Sequence, residues 1–223
     1  MGTLKLQLRP ALRNVKSRHC KNCDTVEKMK VMSVKSLITF LLLISAFMTN
    51  PLFAATDKYV LEPDQSTVAF ETDFGKDLIK GHMPITMANL TLDFDRVANC
   101  KVAVTLDASH AEASFPFAAQ AMKGPKVLDT DTYPQIEFES TSVKATGESA
   151  KISGWVTIRG IKQPMVLNAQ IFRQKGTAEG DRSHLSVHLT GAIARSAFGA
   201  TGWADMVGDE VRLDILARIA RVN

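Results

Sequence analysis

Several groupings of residues in this chain have the types and spacings that chemistry requires. Glu137 and Glu139 stand two apart, as paired carboxylates for acid–base work can. His184 and His188 stand four apart, which on a helix would place two zinc ligands on one face. Cys20-Lys21-Asn22-Cys23 has the spacing of a redox or zinc pair, and Asp129-Thr130-Asp131 has the acidic alternation of a calcium loop. Arg159 and Arg195 each follow an apolar alternating run, where a guanidinium could bind a phosphate or carbonyl head group.

Most of these readings fail on the elements that would have to carry them. His184 and His188 lie in an alternating run, so on a strand they sit ~13 Å apart and cannot share an ion. Glu137 and Glu139 share a polar face opposite Ile136 and Phe138, which makes them a solvated outer surface. The acidic loop lacks the glycine and distal glutamate of a calcium site, and the cysteine pair has neither a second pair nor a βαβ context. Arg195 has a structural alternative, tying down the Ser196–Gly199 turn through backbone carbonyls; Arg159 is open to either role.

Charge divides the chain. The 223 residues carry a formal +4, but residues 1–55 hold nine Lys/Arg against two Asp/Glu, and the remainder eighteen against twenty-one. After Ala55 the basic residues are scattered and form no stripe, so nucleic acid is not an expected partner. Lys28, Lys30 and Lys35 precede an apolar run, Leu37–Met48, too short to span a bilayer of ~30 Å comfortably, with small residues Ala54-Ala55 after it. This predicts a secretory signal peptide over 29–55, with an uncleaved anchor as the alternative. Residues 1–28 read as an upstream extension from a misassigned start, because Met29 or Met32 would begin a signal of ordinary length. Residues 56–223 form one domain, whose single cysteine, Cys100, shares parity with Val102 and Val104 and reads as a buried apolar residue.

The domain is a succession of half-buried strands. Alternation runs through Tyr59–Leu61, Thr67–Phe74, Leu78–Met83, Met87–Asp95 and Cys100–Asp107. It resumes in Tyr133–Thr141, Ile152–Ile158, Gln163–Phe172, Leu185–Ile193 and Val211–Ile219. Residues 109–132 break the pattern, and Phe115–Lys123 is either a short helix after Pro116, closed by Gly124-Pro125, or a long loop. About eight strands at regular spacing fit a sandwich or a closed barrel. Inward-facing Gly154 and Gly191, and the long apolar edges an open sheet would leave, favour the barrel.

Four motifs occur in order: Tyr133-Pro134-x-Ile136-x-Phe138-x-Ser140-Thr141; Gly154-x-Val156-Thr157-Ile158-Arg159-Gly160-x-x-x-Pro164; Ile193-x-Arg195-Ser196-x-Phe198-Gly199; and Val207-Gly208-Asp209-Glu210-Val211. Together they resemble the YceI-like family of bacterial periplasmic proteins over nearly all of residues 58–221. The resemblance implies an all-β, lipocalin-like antiparallel eight-stranded barrel with a short helical excursion, whose apolar lumen holds a polyisoprenoid or other amphiphilic chain. Combined with strand parity, it assigns to the lumen Val68, Phe70, Leu90, Leu92, Phe94, Val104, Ile136, Phe138, Val156, Ile158, Leu167, Val187, Leu189, Ile193 and Phe198, with Arg159 and Arg195 as head-group residues. Phe115, Phe117 and Met122 could gate it or pack as core, and Trp155, of opposite parity, faces out. Two family histidines are replaced, by Gln65 and Phe74.

The expected function is therefore a non-enzymatic periplasmic carrier that sequesters an isoprenoid lipid or quinone as ligand, with no cofactor and no metal. A homodimer and transient contact with the inner membrane are open. The alternative is an interaction or stress protein that partners a membrane redox component, with lipid as structural filler. An enzyme acting on bound lipid lacks a catalytic constellation.

Overall fold

In the computed structural model, period-two alternation does what a closed sheet requires: one face of every strand meets the interior and the other meets water. The described residues are 57–174 and 176–222; the proposed extension 1–28, with Cys20 and Cys23, and the proposed signal peptide 29–55 lie outside them. The strands are β1 (Asp57–Leu61), β2 (Thr67–Phe74), β3 (Asp77–Met83), β4 (Ile85–Leu92), β5 (Lys101–Asp107) and β6 (Glu112–Ala113), then β7 (Gln135–Thr146), β8 (Ser149–Ile158), β9 (Ile161–Arg173), β10 (His184–Ala194) and β11 (Val207–Arg221).

Every pairing is antiparallel, and β1 pairs with β11 to close the ring β1-β4-β5-β7-β8-β9-β10-β11. The other three strands extend it. β2 pairs with β11 and β3, and β3 pairs with β6, so β1/β2, β3/β4 and β5/β6 behave as three bent strands of one eight-stranded meander. The bends fall at the 3-10 turn Pro63–Gln65, at Pro84 and at the Ala108–Ala111 turn. Proline cannot donate to a ladder, so Pro63 and Pro84 sit where ladders break.

Two register shifts matter for the interior. Opposite β8, the β7 ladder passes from Ser140↔Gly154 to Ser142↔Ser153, a one-residue bulge that flips parity. Phe138 and Val143 therefore both face inward although they are five positions apart. The interval after Thr141, polar in sequence, is thus the second half of a twelve-residue strand. A second irregularity, in β11 between Val207 and Val211, is held by Thr72, whose hydroxyl donates to the carbonyls of Gly208 (3.2 Å) and Glu210 (2.9 Å).

Gly154 and Gly191 face inward at crowded points. A Cβ on Gly154 would overlap the Glu139 carbonyl oxygen and come within 2.7 Å of the Phe138 ring; one on Gly191 would lie 2.8 Å from Leu167. The aromatic ring fills the space the missing side chain leaves, a device that lets a sheet curve without opening a hole. The excursion after Pro116 is helical: α1 (Pro116–Lys123) starts with proline in its first turn and ends at Gly124.

Candidate functional site

The inward faces of the strands bound a cavity of about 670 Å³ that runs through the barrel. All fifteen residues assigned to the lumen by parity line it, from Val68 and Phe70 on β2 to Phe198 beyond β10. Phe74 lines it too, whereas Gln65 is exposed in the 3-10 turn. Several lining residues were not legible from parity: Val143, for the reason above, and Trp203 and Met206, which lie between strands. Cys100 also lines it, half-buried rather than fully buried as expected. Burial pushes its thiol pKa up, so it stays protonated among apolar neighbours.

One end is closed by packing. Tyr59, Leu185 and Ile219 are buried together against Leu61, Leu90, Leu92 and Phe94; the Tyr59 ring meets Phe94 edge-on at 5.9 Å, and its hydroxyl donates to the Arg182 carbonyl at 2.9 Å. The Arg182 guanidinium lies 4.8 Å over Phe94. The other end is covered by α1 and the segment 199–206. Phe117, Ala118, Gln120, Ala121 and Met122 of α1 line the cavity, while Phe115 stacks on Phe117 at 5.8 Å instead. Phe117 (63% exposed), Trp203 (42%) and Met206 (48%) both line the cavity and meet solvent, which makes this end a mouth; towards the opposite end Ile171 of β9 (43%), paired with Val187, does so too.

Both arginines work on backbone. Arg195 has the inward parity of Ile193 and is buried. Its Nε donates to the Gly208 carbonyl (2.9 Å), Nη1 to those of Ala200 (2.7 Å) and Gly202 (2.8 Å), and Nη2 to that of Val207 (3.0 Å). Four of its five N–H groups are thereby used, and the segment fixed is 200–208 rather than the Ser196–Gly199 turn. Arg159 follows directly on the last residue of β8. It forms the two-residue β8–β9 hairpin with Gly160, both at positive φ (52° and 71°), and its Nη1 donates to the carbonyls of Val127 and Gly199, each at 2.9 Å. It does not line the cavity.

The chemistry-bearing groupings lie elsewhere. Glu137 and Glu139 are exposed, Trp155 faces out with Lys162 Nζ 5.8 Å from its ring, and His188 Nε2 meets Asp214 Oδ1 at 2.9 Å on the outer face. Asp107, Ser109 and His110 form a mutually bonded Asp–Ser–His cluster away from the cavity lining. His110 Nδ1 faces both the serine and the carboxylate, whereas a nucleophilic relay needs the two partners on opposite ring nitrogens. No group of three or more metal-ligating side chains occurs among the described residues.

Residues 59–219 match the model of the YceI-like domain. Curated relatives include Protein YceI of Salmonella arizonae and of Salmonella enteritidis, each 26% identical over 182 residues, covering 81% of this chain and 95% of the relative. Among solved structures the fold is similar to Burkholderia cenocepacia BcnA (TM-score 0.64, 20% identity, 72% of this chain and 99% of that one). It is also similar to the Campylobacter jejuni YCEI protein (0.51, 23%, 64% and 84%). A third is a polyisoprenoid-binding domain of Saccharophagus degradans implicated in plant cell wall breakdown (0.53, 13%, 74% and 98%). With its barrel closed and matched from Tyr59 to Ile219, the chain belongs to the YceI-like family.

Proposed function

We propose that this protein is a periplasmic lipid-binding protein that sequesters or carries a polyisoprenoid or quinone-like amphiphile in its barrel. The observation that carries the reading is the continuous apolar lining of the 670 Å³ cavity, to which no carboxylate contributes. Protein cores packed for their own sake contain few voids larger than a water molecule. At the ~24 cal/mol per Å³ seen in large-to-small substitutions, a void of this size forgoes about 16 kcal/mol of packing, as much as the whole stability of an ordinary domain. A site of this kind is built to hold something apolar, and its volume falls in the range of ligand pockets.

The polyisoprenoid-binding domain of similar fold supports a long-chain occupant. For a tail of about forty carbons, ~0.3 kcal/mol per heavy atom gives ~12 kcal/mol, a nanomolar ceiling reached by apolar contact alone. Binding without catalysis accounts for the geometry, because the groups that could transfer protons stand on the outer face or in a loop cap. Titrating the delipidated protein with a long-chain polyprenyl amphiphile, followed by Trp203 fluorescence, tests the reading. One-to-one saturation at submicromolar concentration is expected; no change in Trp203 emission together with no retained lipid would overturn it.

A further inference from the structure

Few polar side chains line the cavity, and their existing partners decide which head group it can take. Thr72 spends its hydroxyl proton on the carbonyls of Gly208 and Glu210. Arg195 spends four N–H groups on the carbonyls of Ala200, Gly202, Val207 and Gly208. The Cys100 thiol is engaged with the backbone of Asp93. Two side chains remain. Gln120 and Trp203 line the cavity, are exposed, and make no side-chain hydrogen bond to another described residue.

Both belong to the segments that cover the mouth, and the Gly202 N–H donates to the carbonyl of Lys126, three residues beyond α1, at 2.9 Å. Between them they offer three N–H donors and one carbonyl acceptor, all uncharged. A phosphate or pyrophosphate needs cations or several converging donors to replace its hydration. Lys123, the last residue of α1, and Lys126 just beyond it do not line the cavity, and Arg195 is already committed. A carbonyl or hydroxyl oxygen needs only one or two donors, which an amide and an indole supply.

We propose that the cavity selects an uncharged head group bearing carbonyl or hydroxyl oxygens, held at the mouth by Gln120 and Trp203, over a phosphorylated head on the same tail. The assignment rests on the carrier reading and makes Gln120 its specificity-determining residue. The test is competition binding on the delipidated full chain, with two probes of equal polyprenyl length, a benzoquinone and a pyrophosphate. The benzoquinone is expected to bind at least about tenfold more tightly. Gln120→Leu should lower its affinity about fivefold, the worth of one hydrogen bond, and leave the pyrophosphate unchanged. Gln120→Lys should move the preference toward the pyrophosphate; both changes fall on an exposed helical position. Equal or tighter pyrophosphate binding by the wild-type chain, or an unchanged ratio in Gln120→Leu, overturns the assignment alone. Failure of both probes to bind folded protein overturns the carrier reading and this assignment with it.

Discussion

Arg195→Met separates a ligand-binding arginine from a structural one. The substitution keeps an apolar stem of similar length facing the cavity and removes every donor. Of the four carbonyls that Arg195 serves, Gly208 retains the Thr72 hydroxyl, so Ala200, Gly202 and Val207 lose their side-chain donor. Ala200 and Gly202 are buried. At about 1 kcal/mol or slightly more for each of these two unmet buried acceptors, with less for half-buried Val207, the expected loss is ~2–3 kcal/mol, a large part of an ordinary domain's stability. Urea unfolding followed by far-ultraviolet circular dichroism should show the midpoint falling with little change in slope, and amide exchange should quicken first in residues 199–208. Because the arginine's hydrogen bonds go to backbone, lipid retention by the remaining folded protein should be preserved. A stability change under ~0.5 kcal/mol combined with lost retention would refute the reasoning and return Arg195 to the head group.

Other perturbations probe the lumen, the sheet and the charges. Val156→Asp puts a carboxylate among apolar lining residues and should abolish retention of extractable lipid; unchanged retention by folded protein would mean that the ligand sits elsewhere. Gly154→Ala forces a methyl against the Glu139 carbonyl and the Phe138 ring and should cost ~1–3 kcal/mol in urea unfolding. Gly75→Ala, in an open hairpin turn at φ 61°, should cost only the ~1 kcal/mol of a left-handed residue, so a reversed order would contradict the crowding at Gly154. Asp93 and Asp209 have carboxyl pKa values below the ordinary range, held there first by the Asn99 amide and the Ser196 hydroxyl respectively. A depressed folded-state pKa gives stability that is complete above the unfolded value near 4 and lost as pH falls through the lower folded value. The unfolding midpoint should therefore be flat from pH 7 to about 5 and fall below 4, less steeply in Asp93→Asn; a midpoint constant down to pH 3 would remove those bonds from the account.

Much of the barrel was legible because its strands obey a single rule. Ile152, Val156 and Ile158 alternate with exposed or half-exposed neighbours, and a closed sheet leaves that apolar face nowhere to go but inward. What hid was whatever breaks period two. The bulge after Ser140 made Val143 look like part of a polar linker, and the bends at Pro63–Gln65 and Pro84 made single barrel strands read as separate ones. Arg195 did carry a signal, since a guanidinium with the parity of Ile193 must enter the interior and find acceptors there. Its partners, spread over residues 200–208, follow only from the fold. The Arg159-Gly160 pair between Ile158 and Ile161 has the form of a two-residue hairpin turn, which accounts for its positive φ better than a strand-end role. Gln120 and Trp203 had no periodicity to mark them, because one sits on a two-turn helix and the other in a connection.

The central claim, that the barrel holds a long amphiphile in its apolar cavity, is tested most directly by native mass spectrometry of the protein isolated from the cells that produce it, paired with organic extraction of the same sample. The account predicts a one-to-one adduct that moves into the organic phase and fragments into isoprenoid units, and that is missing from Val156→Asp. A wild-type spectrum at the bare protein mass, with nothing extractable, would contradict it.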